Sequence, residues 1–391
     1  MWLRDSANQL QSYKSLLSPD PSPDSLASLF RGAINLQARY IRAFPHCNAF
    51  QPPPESGLEP EYNSWAKTDF VVPRFDKQVV FECKYELDSI AAFLQLSHDY
   101  ISQTQDIDFF RRRSWRDAIG VIMNTTSELL RGTYAADGTL NRSPFLFERQ
   151  TNKASETTSN EGAGAPVRSD TGLVRSFFRP SDDACVFQLF VPANMMFSRY
   201  LDACADIMAE LDEGAAENMK GLAEVVTKGI EKYGRVEHKE FGEVYAFEVD
   251  GFGSHNLMVR LRYPNTGLKE QVEERRVADG LQDDANIPSL LSAPMLGYLD
   301  RDDPIYQNTR RFALSTVNPY FMFGPVLNAT GGPHIGPGRA WPMGLIVQLL
   351  TSDDDEEIQA GIRQLLSSTD GLGLMHESVD SHDEKKWTRS W

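Results

Sequence analysis

The chain has 391 residues, 41% hydrophobic and 24% charged, the profile of a globular chain long enough to bury a sizeable core. Its 39 Lys and Arg stand against 55 Asp and Glu, a formal charge of −16, which argues against non-specific nucleic-acid binding, where a basic footprint is needed. The sequence contains no uninterrupted run of about 18 apolar residues to span a membrane, and its start shows no signal-peptide pattern.

In chain order, most periodic segments predict helix. Leu26, Leu29, Phe30, Ala33, Tyr40, Ile41 and Phe44 form one stripe over 24–44, opened by Ser22, Pro23 and Asp24. A second helix is expected from about Tyr85, with Leu87, Ile90, Ala91, Leu94 and Ile101 in line, and a third over 109–131. A fourth is expected to begin at Ser181, carrying Val186, Leu189 and Phe190 on one face, with Pro192 kinking or breaking it. The run 198–233 reads as helix, divided near Gly214. Later helices are expected at 286–297, at 304–316, from Trp341-Pro342, and along the stripe Ile358, Ile362, Leu365 and Leu366, capped by Ser352 or Asp353. Short strand-like runs lie at 79–81 and 244–249.

Between these lie long loops: 45–80, rich in Pro and aromatics; 150–170, rich in Ser, Thr, Gly and Ala and expected to be a flexible excursion; and 317–340, rich in Gly and Pro. Many helices separated by chemically rich loops suit a ring of helical hairpins with a site at one end. Cys47, Cys83, Cys185 and Cys204 form no close CxxC pair and have no His at ligand spacing, which argues against a structural zinc site. Two disulfides are possible, with the pairing open, and Cys185 and Cys204 are expected to be small apolar side chains on helices. Asn124, Asn141 and Asn328 each begin a glycosylation sequon, a weak signal in a chain this long.

Six clusters combine carboxylates, arginines and aromatics with turn residues. That is the mixture a sugar site needs: charged groups for the hydroxyls, aromatic rings for the apolar faces, turns to fix the backbone. They are Trp2-Leu3-Arg4-Asp5-Ser6, Tyr85-Glu86-Leu87-Asp88-Ser89, Arg179-Pro180-Ser181-Asp182-Asp183, Asp283-Asp284-Ala285-Asn286, the Gly-rich Gly331–Gly338 stretch with His334 followed by Trp341-Pro342, and His376-Glu377-Ser378 followed by Thr388-Arg389-Ser390-Trp391. Taken singly, the first is as readily a structural salt bridge, and the acids of the second, third and fourth are as readily helix caps. The Gly-rich stretch lacks the Gly-Lys-Ser/Thr of a phosphate loop, and HExxH, GxSxG and EF-hand patterns are all missing from the sequence. Carboxylate chemistry is what remains, and glycoside hydrolysis runs on two acids in different environments.

Taken together and in this order, the clusters resemble glycoside hydrolase family 125 over essentially the whole chain. The resemblance implies a single all-α domain spanning 1–391, an (α/α)6 toroid. It implies metal-independent, cofactor-free removal of a terminal α-1,6-linked mannose, with inversion, from a mannose-containing oligosaccharide or glycan. An Asp of the Arg-Pro-Ser-Asp-Asp motif would be the general acid, Asp182 favoured by analogy with related toroids and Asp183 the alternative; Glu377 would be the general base. Arg4, Asp5, Asp88, His334, Trp341 and Arg389 are the candidates for holding the sugar. Family members carry sequence before the first motif and after the last, so the toroid is expected to be incomplete at both ends, with localisation open because a secretion signal or anchor would lie in a missing part. The competing expectations are another glycosidase specificity on the same scaffold and an inactive carbohydrate-binding fragment.

Overall fold

The computed structural model describes residues 1–111, 114–255 and 282–389. It is mostly helical, with a few two- and three-stranded sheets of short strands. It divides into two compact units.

The first unit comprises Met1–Tyr233 with Asp250–Phe252 and Leu296–Tyr298. It holds helices α1 (Leu3–Gln11), α2 (Leu26–Ala43), α3 (Leu87–Thr104), α4 (Ile107–Arg111), α5 (Trp115–Leu129), α6 (Val191–Ala209) and α7 (Glu213–Tyr233). Short strands β1 (Ala49–Phe50), β2 (Phe70–Val72), β3 (Val80–Glu82), β4 (Leu146–Glu148) and β5 (Leu189–Phe190) lie in its loops. β1 pairs antiparallel with β3, and β2 with β4. Helices α3 and α6 are buried along most of their length, polar residues such as Asp88, Ser97 and Asn194 included. α2, α5 and α7 bury one stripe each and leave the opposite face wet. α6 packs on α7 and α3, α3 on α1 and α2, and α2 on α5. Fully buried Phe93 on α3 shows how tightly this layer is filled; truncating such a side chain to Ala costs about 3–5 kcal/mol.

Several expected helices are present. α2 opens at Ser25, whose side chain accepts the Ser28 amide at 3.0 Å, just after the predicted start. The predicted third helix is found as α4 and α5, with Arg112 and Arg113 between them outside the described residues. The fourth is a correction: Ser181 to Gln188 runs in turns, and Phe190 is the cap residue that precedes α6. Pro192 therefore starts a helix, where its missing N–H is harmless, instead of breaking one. A disulfide joins Cys47 to Cys83. Cys204 is buried on α6 as expected; Cys185 is buried too, but in a turn. The 150–170 segment is tied to its surroundings by Thr158, whose hydroxyl donates to the Phe147 carbonyl at 2.6 Å, and by the Arg175 bond to the Ala163 carbonyl at 2.9 Å.

The second unit comprises Gly234–Val249, Gly253–Met295 and Leu299–Trp391. It begins with β6 (Arg235–His238) and β7 (Gly242–Tyr245), an antiparallel hairpin, followed by β8 (Glu248–Val249). Helices α8 (Pro304–Ala313), α9 (Pro342–Leu350) and α10 (Asp355–Ser367) follow, with β9 (Phe321–Met322), β10 (Ala329–Thr330), β11 (Arg339–Ala340), β12 (Val379–Asp380) and β13 (Asp383–Trp387). Tyr320, Met322, Leu327, Ala329, Ala340, Leu345 and Val379 form its core, with Leu349, Leu365 and Trp387 packed against it. The cap of α10 is Asp354, which accepts the amides of Glu356 and Glu357, one or two residues beyond the expected cap. The helix expected over 286–297 is also corrected. These residues form consecutive turns, because the buried Asp283 carboxylate takes the amides of Leu290 and Leu291 at 2.9 and 3.1 Å.

Candidate active site

Three of the six sequence clusters meet in the first unit. Helix α1 carries Arg4 inward, and the start of α3 carries Glu86 and Asp88. Arg4 Nη1 donates to Glu86 Oε2 at 2.9 Å and to Asp88 Oδ2 at 2.8 Å, while Nη2 donates to the Pro180 carbonyl at 2.9 Å. One guanidinium thus ties the first motif to the second and third. Asp5 stands at the rim, 3.4 Å from Arg4 Nη2, with its side chain exposed. Glu86 also accepts from the Asn48 amide at 3.0 Å and the Ser89 hydroxyl at 2.8 Å. Asp88 Oδ1 is buried without a hydrogen-bond partner among the described residues.

The electrostatics follow from burial. It pushes the Glu86 carboxyl well above the usual carboxylate range, with Asp88 and Asp182 adding to the shift and Arg4 opposing it. Burial raises Asp88 as well, again against Arg4. Arg4 itself loses by burial and gains more from Glu86 and then Asp88, so its pKa rises. Burial thus works against the charge on both carboxylates, and the one guanidinium works for it.

Asp182 sits in a left-handed turn, φ +68°, a conformation that costs a non-glycine residue about 1–3 kcal/mol and is concentrated at functional sites. Its side chain is 38% exposed, and its Oδ1 lies 3.3 Å from Lys84 Nζ, which also lies 3.4 Å from Glu82 and 5.4 Å from the Phe178 ring centre. Burial pulls the Lys84 pKa down, but Asp182 and Glu82 raise it further, so the ammonium is kept. Asp183 is buried, 3.4 Å from the Ser181 hydroxyl, and its carbonyl accepts the Arg179 amide at 2.8 Å. The sequence leads one to expect both acids at a helix start; they lie instead in a turn, one half-open and one enclosed.

The other three clusters lie in the second unit. Glu377 is 6% exposed, and its Oε1 takes Arg389 Nη2 at 2.9 Å and Nε at 3.1 Å. The main chain repeats the pairing: the Glu377 amide donates to the Arg389 carbonyl at 2.8 Å, and the Thr388 amide to the Ser378 carbonyl at 3.0 Å. His376 stacks on Trp387, rings 4.1 Å apart and 8° from parallel, bracing the same turn. Ser390 and Trp391 of this motif lie outside the described residues.

Asp284 and the Gly-rich stretch meet here too. The Ala285 amide donates to the Gly331 carbonyl at 2.8 Å, and a Cβ at Gly332 would stand 2.9 Å from Asp284 Oδ2. Only glycine lets this loop lie on that carboxylate. Asp283 is wholly buried, and burial lifts its carboxyl to about 7. His334 is exposed on the turn that follows. Trp341 is 4% exposed, so little of its ring is open, but its indole N–H is buried with no hydrogen-bond partner among the described residues.

Sequence reasoning selects Arg4, Asp88, Asp182 and Arg389 as site residues without pairing them. It passes over Glu86 and Lys84, although Glu86 stands inside a singled-out motif and Lys84 two residues before it. Asn48 carries no signal in the sequence at all.

Carboxylates paired with arginine and lysine, some enclosed and one half-open, suit the two-acid chemistry of a glycoside hydrolase. Comparison narrows this. Over residues 1–265 and 277–391 the chain matches the model of the metal-independent alpha-mannosidases, GH125, and it belongs to that family. It is 45% identical over 393 residues to the meiotically up-regulated gene 157 protein of Schizosaccharomyces pombe, covering 100% of this chain and 71% of the relative. A solved Streptococcus pneumoniae metal-independent alpha mannosidase, in a non-productive complex with alpha-1,6-mannobiose, matches with a TM-score of 0.82 and 29% identity over 100% of this chain and 82% of that one. A further solved structure, of a glycosidase variant, matches at TM-score 0.50 and 12% identity over 100% of this chain and 82% of its own, a likeness of fold alone. The protein is therefore an α-mannosidase of the glycoside hydrolases, and its substrate is a mannose-containing glycan.

Proposed function

We propose that the chain is a single (α/α)6 toroid domain that removes terminal α-1,6-linked mannose from a glycan with inversion of the anomeric centre. What supports the linkage is the solved relative's complex with alpha-1,6-mannobiose. What supports the architecture is the layering of the first unit, where α3 and α6 are enclosed and α2, α5 and α7 are amphipathic.

The observation that carries the mechanism is the pairing of buried Glu377 with the largely exposed Arg389. Arginine at hydrogen-bonding distance, with the main chains of the two residues paired, fixes the position of the carboxylate assigned as general base. Glu377 takes a proton from the attacking water. Asp182 gives its proton to the glycosidic oxygen as the bond to the anomeric carbon breaks, and the transition state has oxocarbenium character. What supports Asp182 over Asp183 is its half-open side chain on a strained turn, against the enclosure of Asp183. Inversion needs room for that water, with the two carboxyl groups about 6.5–9.5 Å apart.

Arg4, with Asp5 and Asp88, and Arg389, with His334, are assigned to the terminal sugar's hydroxyls. Among the described residues, Asp88 Oδ1 and the Trp341 indole N–H are two of the buried polar atoms without a hydrogen-bond partner, and each is assigned to a sugar hydroxyl. The test is hydrolysis of α-1,2-, α-1,3- and α-1,6-mannobiose side by side. Cleavage of the 1,6 isomer at least about tenfold faster than the others, a difference of about 1.4 kcal/mol in barrier, supports the assignment; equal rates would leave an α-mannosidase of other specificity.

A further inference from the structure

The first unit contains a concavity of about 750 Å³, with walls from the end of α5, the 167–170 segment, the end of α7 and Phe252. None of the six clusters belongs to it. Arg131, Arg168 and Lys232 line it, against one acid, Asp170. In a chain carrying 55 acids and 39 bases that local excess runs against the whole. Neither arginine is in an ion pair with a described residue, and Lys232 Nζ lies 4.9 Å from the Tyr233 ring centre. Tyr134 and Phe252, 47% and 56% exposed, add two open aromatic rings to the same lining.

The walls are bolted together. A Cβ on Gly132 would collide with the Ser169 amide nitrogen, so the segments bearing Arg131 and Arg168 touch backbone to backbone. The Thr133 amide donates to the Val167 carbonyl at 2.9 Å, and the Ser169 hydroxyl to the Tyr134 carbonyl at 2.5 Å. The Arg168 amide donates to the Asp250 carbonyl at 2.9 Å, fixing the wall that carries Phe252. A Cβ on Gly229 would stand 2.5 Å from the Thr171 carbonyl oxygen, seating α7 and its Lys232 against the same segment. The backbone contacts fix where the two exposed arginines start, and a concave wall focuses their field.

We propose that this cavity is a second glycan-binding site that takes a sugar carrying a phosphate group. The phosphate oxygens pair with Arg131 and Arg168, whose forked donors suit a tetrahedral oxyanion, and Lys232 adds a point charge. The Tyr134 and Phe252 rings cover the apolar face of the attached sugar. The site therefore selects glycans by a charged substituent remote from the bond that is cut.

The test is calorimetric titration of the full chain with mannose 6-phosphate, mannose and inorganic phosphate, at low and at physiological salt. Mannose 6-phosphate should bind, and more weakly as salt rises. Arg131→Ala and Arg168→Ala should each weaken it about tenfold, as expected for loss of a charge-assisted pair. Tyr134→Ala should weaken mannose 6-phosphate several-fold and leave inorganic phosphate unchanged. Hydrolysis of α-1,6-mannobiose should be unaltered in all three variants, and mannose 6-phosphate should not inhibit it. The proposal is overturned if mannose 6-phosphate does not bind, if the double arginine variant binds it as well as the parent does, or if it competes with mannobiose. Binding by a chain that hydrolyses no mannoside would uphold this site and reject the hydrolytic reading alone.

Discussion

Arg389 reaches Glu377 with two nitrogens, at 2.9 and 3.1 Å from the same carboxylate oxygen, while the backbones of the two residues are themselves hydrogen-bonded. The cation and the acid are thus placed by one piece of main chain, so the pairing does not depend on a long side chain finding its partner. Arg389→Ala should lower kcat/KM for mannobiose by about 10²-fold or more, because Glu377 is left buried without its counter-ion. Arg389→Lys should recover only part, since a point charge cannot replace a two-nitrogen contact. Equal activity of parent and Ala variant would show that Glu377 does not need the arginine.

The acid and base should separate by leaving group. Glu377→Gln should lower kcat by about 10²–10⁴-fold on every substrate, with melting temperature little changed. Replacing the general acid should cripple mannobiose cleavage yet spare an aryl mannoside whose leaving group needs no proton. That selective sparing is expected of Asp182→Asn. If Asp183→Asn shows it instead, the roles of the two residues are exchanged.

Arg4 is the one cation between buried Glu86 and Asp88 among the described residues. Arg4→Met should destabilise the fold by about 3–5 kcal/mol, since removing one member of a buried charged set leaves the others uncompensated. Urea unfolding would measure it. A second change, Glu86→Gln in the Arg4→Met background, should restore part of that loss by removing one of the stranded charges.

Asp283 sets a pH dependence of stability. Burial lifts its carboxyl to about 7 in the folded chain, from an unfolded value near 3.8. The folded state therefore holds a proton that the unfolded state has released between these values. The resulting stabilisation is complete below about pH 4 and is lost as pH rises through about 7, a slope of up to about 1.4 kcal/mol per pH unit. Asp283→Asn, which keeps one of the two oxygens that accept the Leu290 and Leu291 amides and sets its NH2 against the other, should lower stability at every pH but flatten this part of the stability–pH curve. An unchanged slope in the variant would assign the effect to other groups.

The Cys47–Cys83 bond closes a loop of sequence separation 36, for which chain entropy predicts about 3–4 kcal/mol of stabilisation. Each cysteine adjoins a site residue: Asn48, which holds Glu86, and Lys84, which holds Asp182. Cys47→Ser/Cys83→Ser should lower both the unfolding midpoint and kcat. A loss of stability with kcat intact at low temperature would show that the bond does not position the site.

What is legible in the sequence depends on range. The stripe through Phe30, Ala33 and Ile41 locates α2 to within two residues at its start, because a helix declares its buried face by spacing alone. Val186, Leu189 and Phe190 carry a similar spacing, yet their segment turns. The signal that matters there is Pro192, which marks a helix start as readily as a break. The acids of 283–284 read as helix caps because capping is a local habit of Asp, but Asp283 instead closes a turn by reaching the amide seven residues on. Each motif can be seen by eye; the partners cannot. Arg4 meets Asp88 across 84 residues and Lys84 meets Asp182 across 98, and no local pattern encodes contacts at that distance.

Proton NMR of α-1,6-mannobiose from the first minutes after the chain is added tests inversion most directly. β-Mannose should appear first, with the α anomer growing in only by mutarotation. Initial release of α-mannose would contradict inversion and the assignment of Glu377 as base to an attacking water, and would require a nucleophilic carboxylate about 5–5.5 Å from the acid instead.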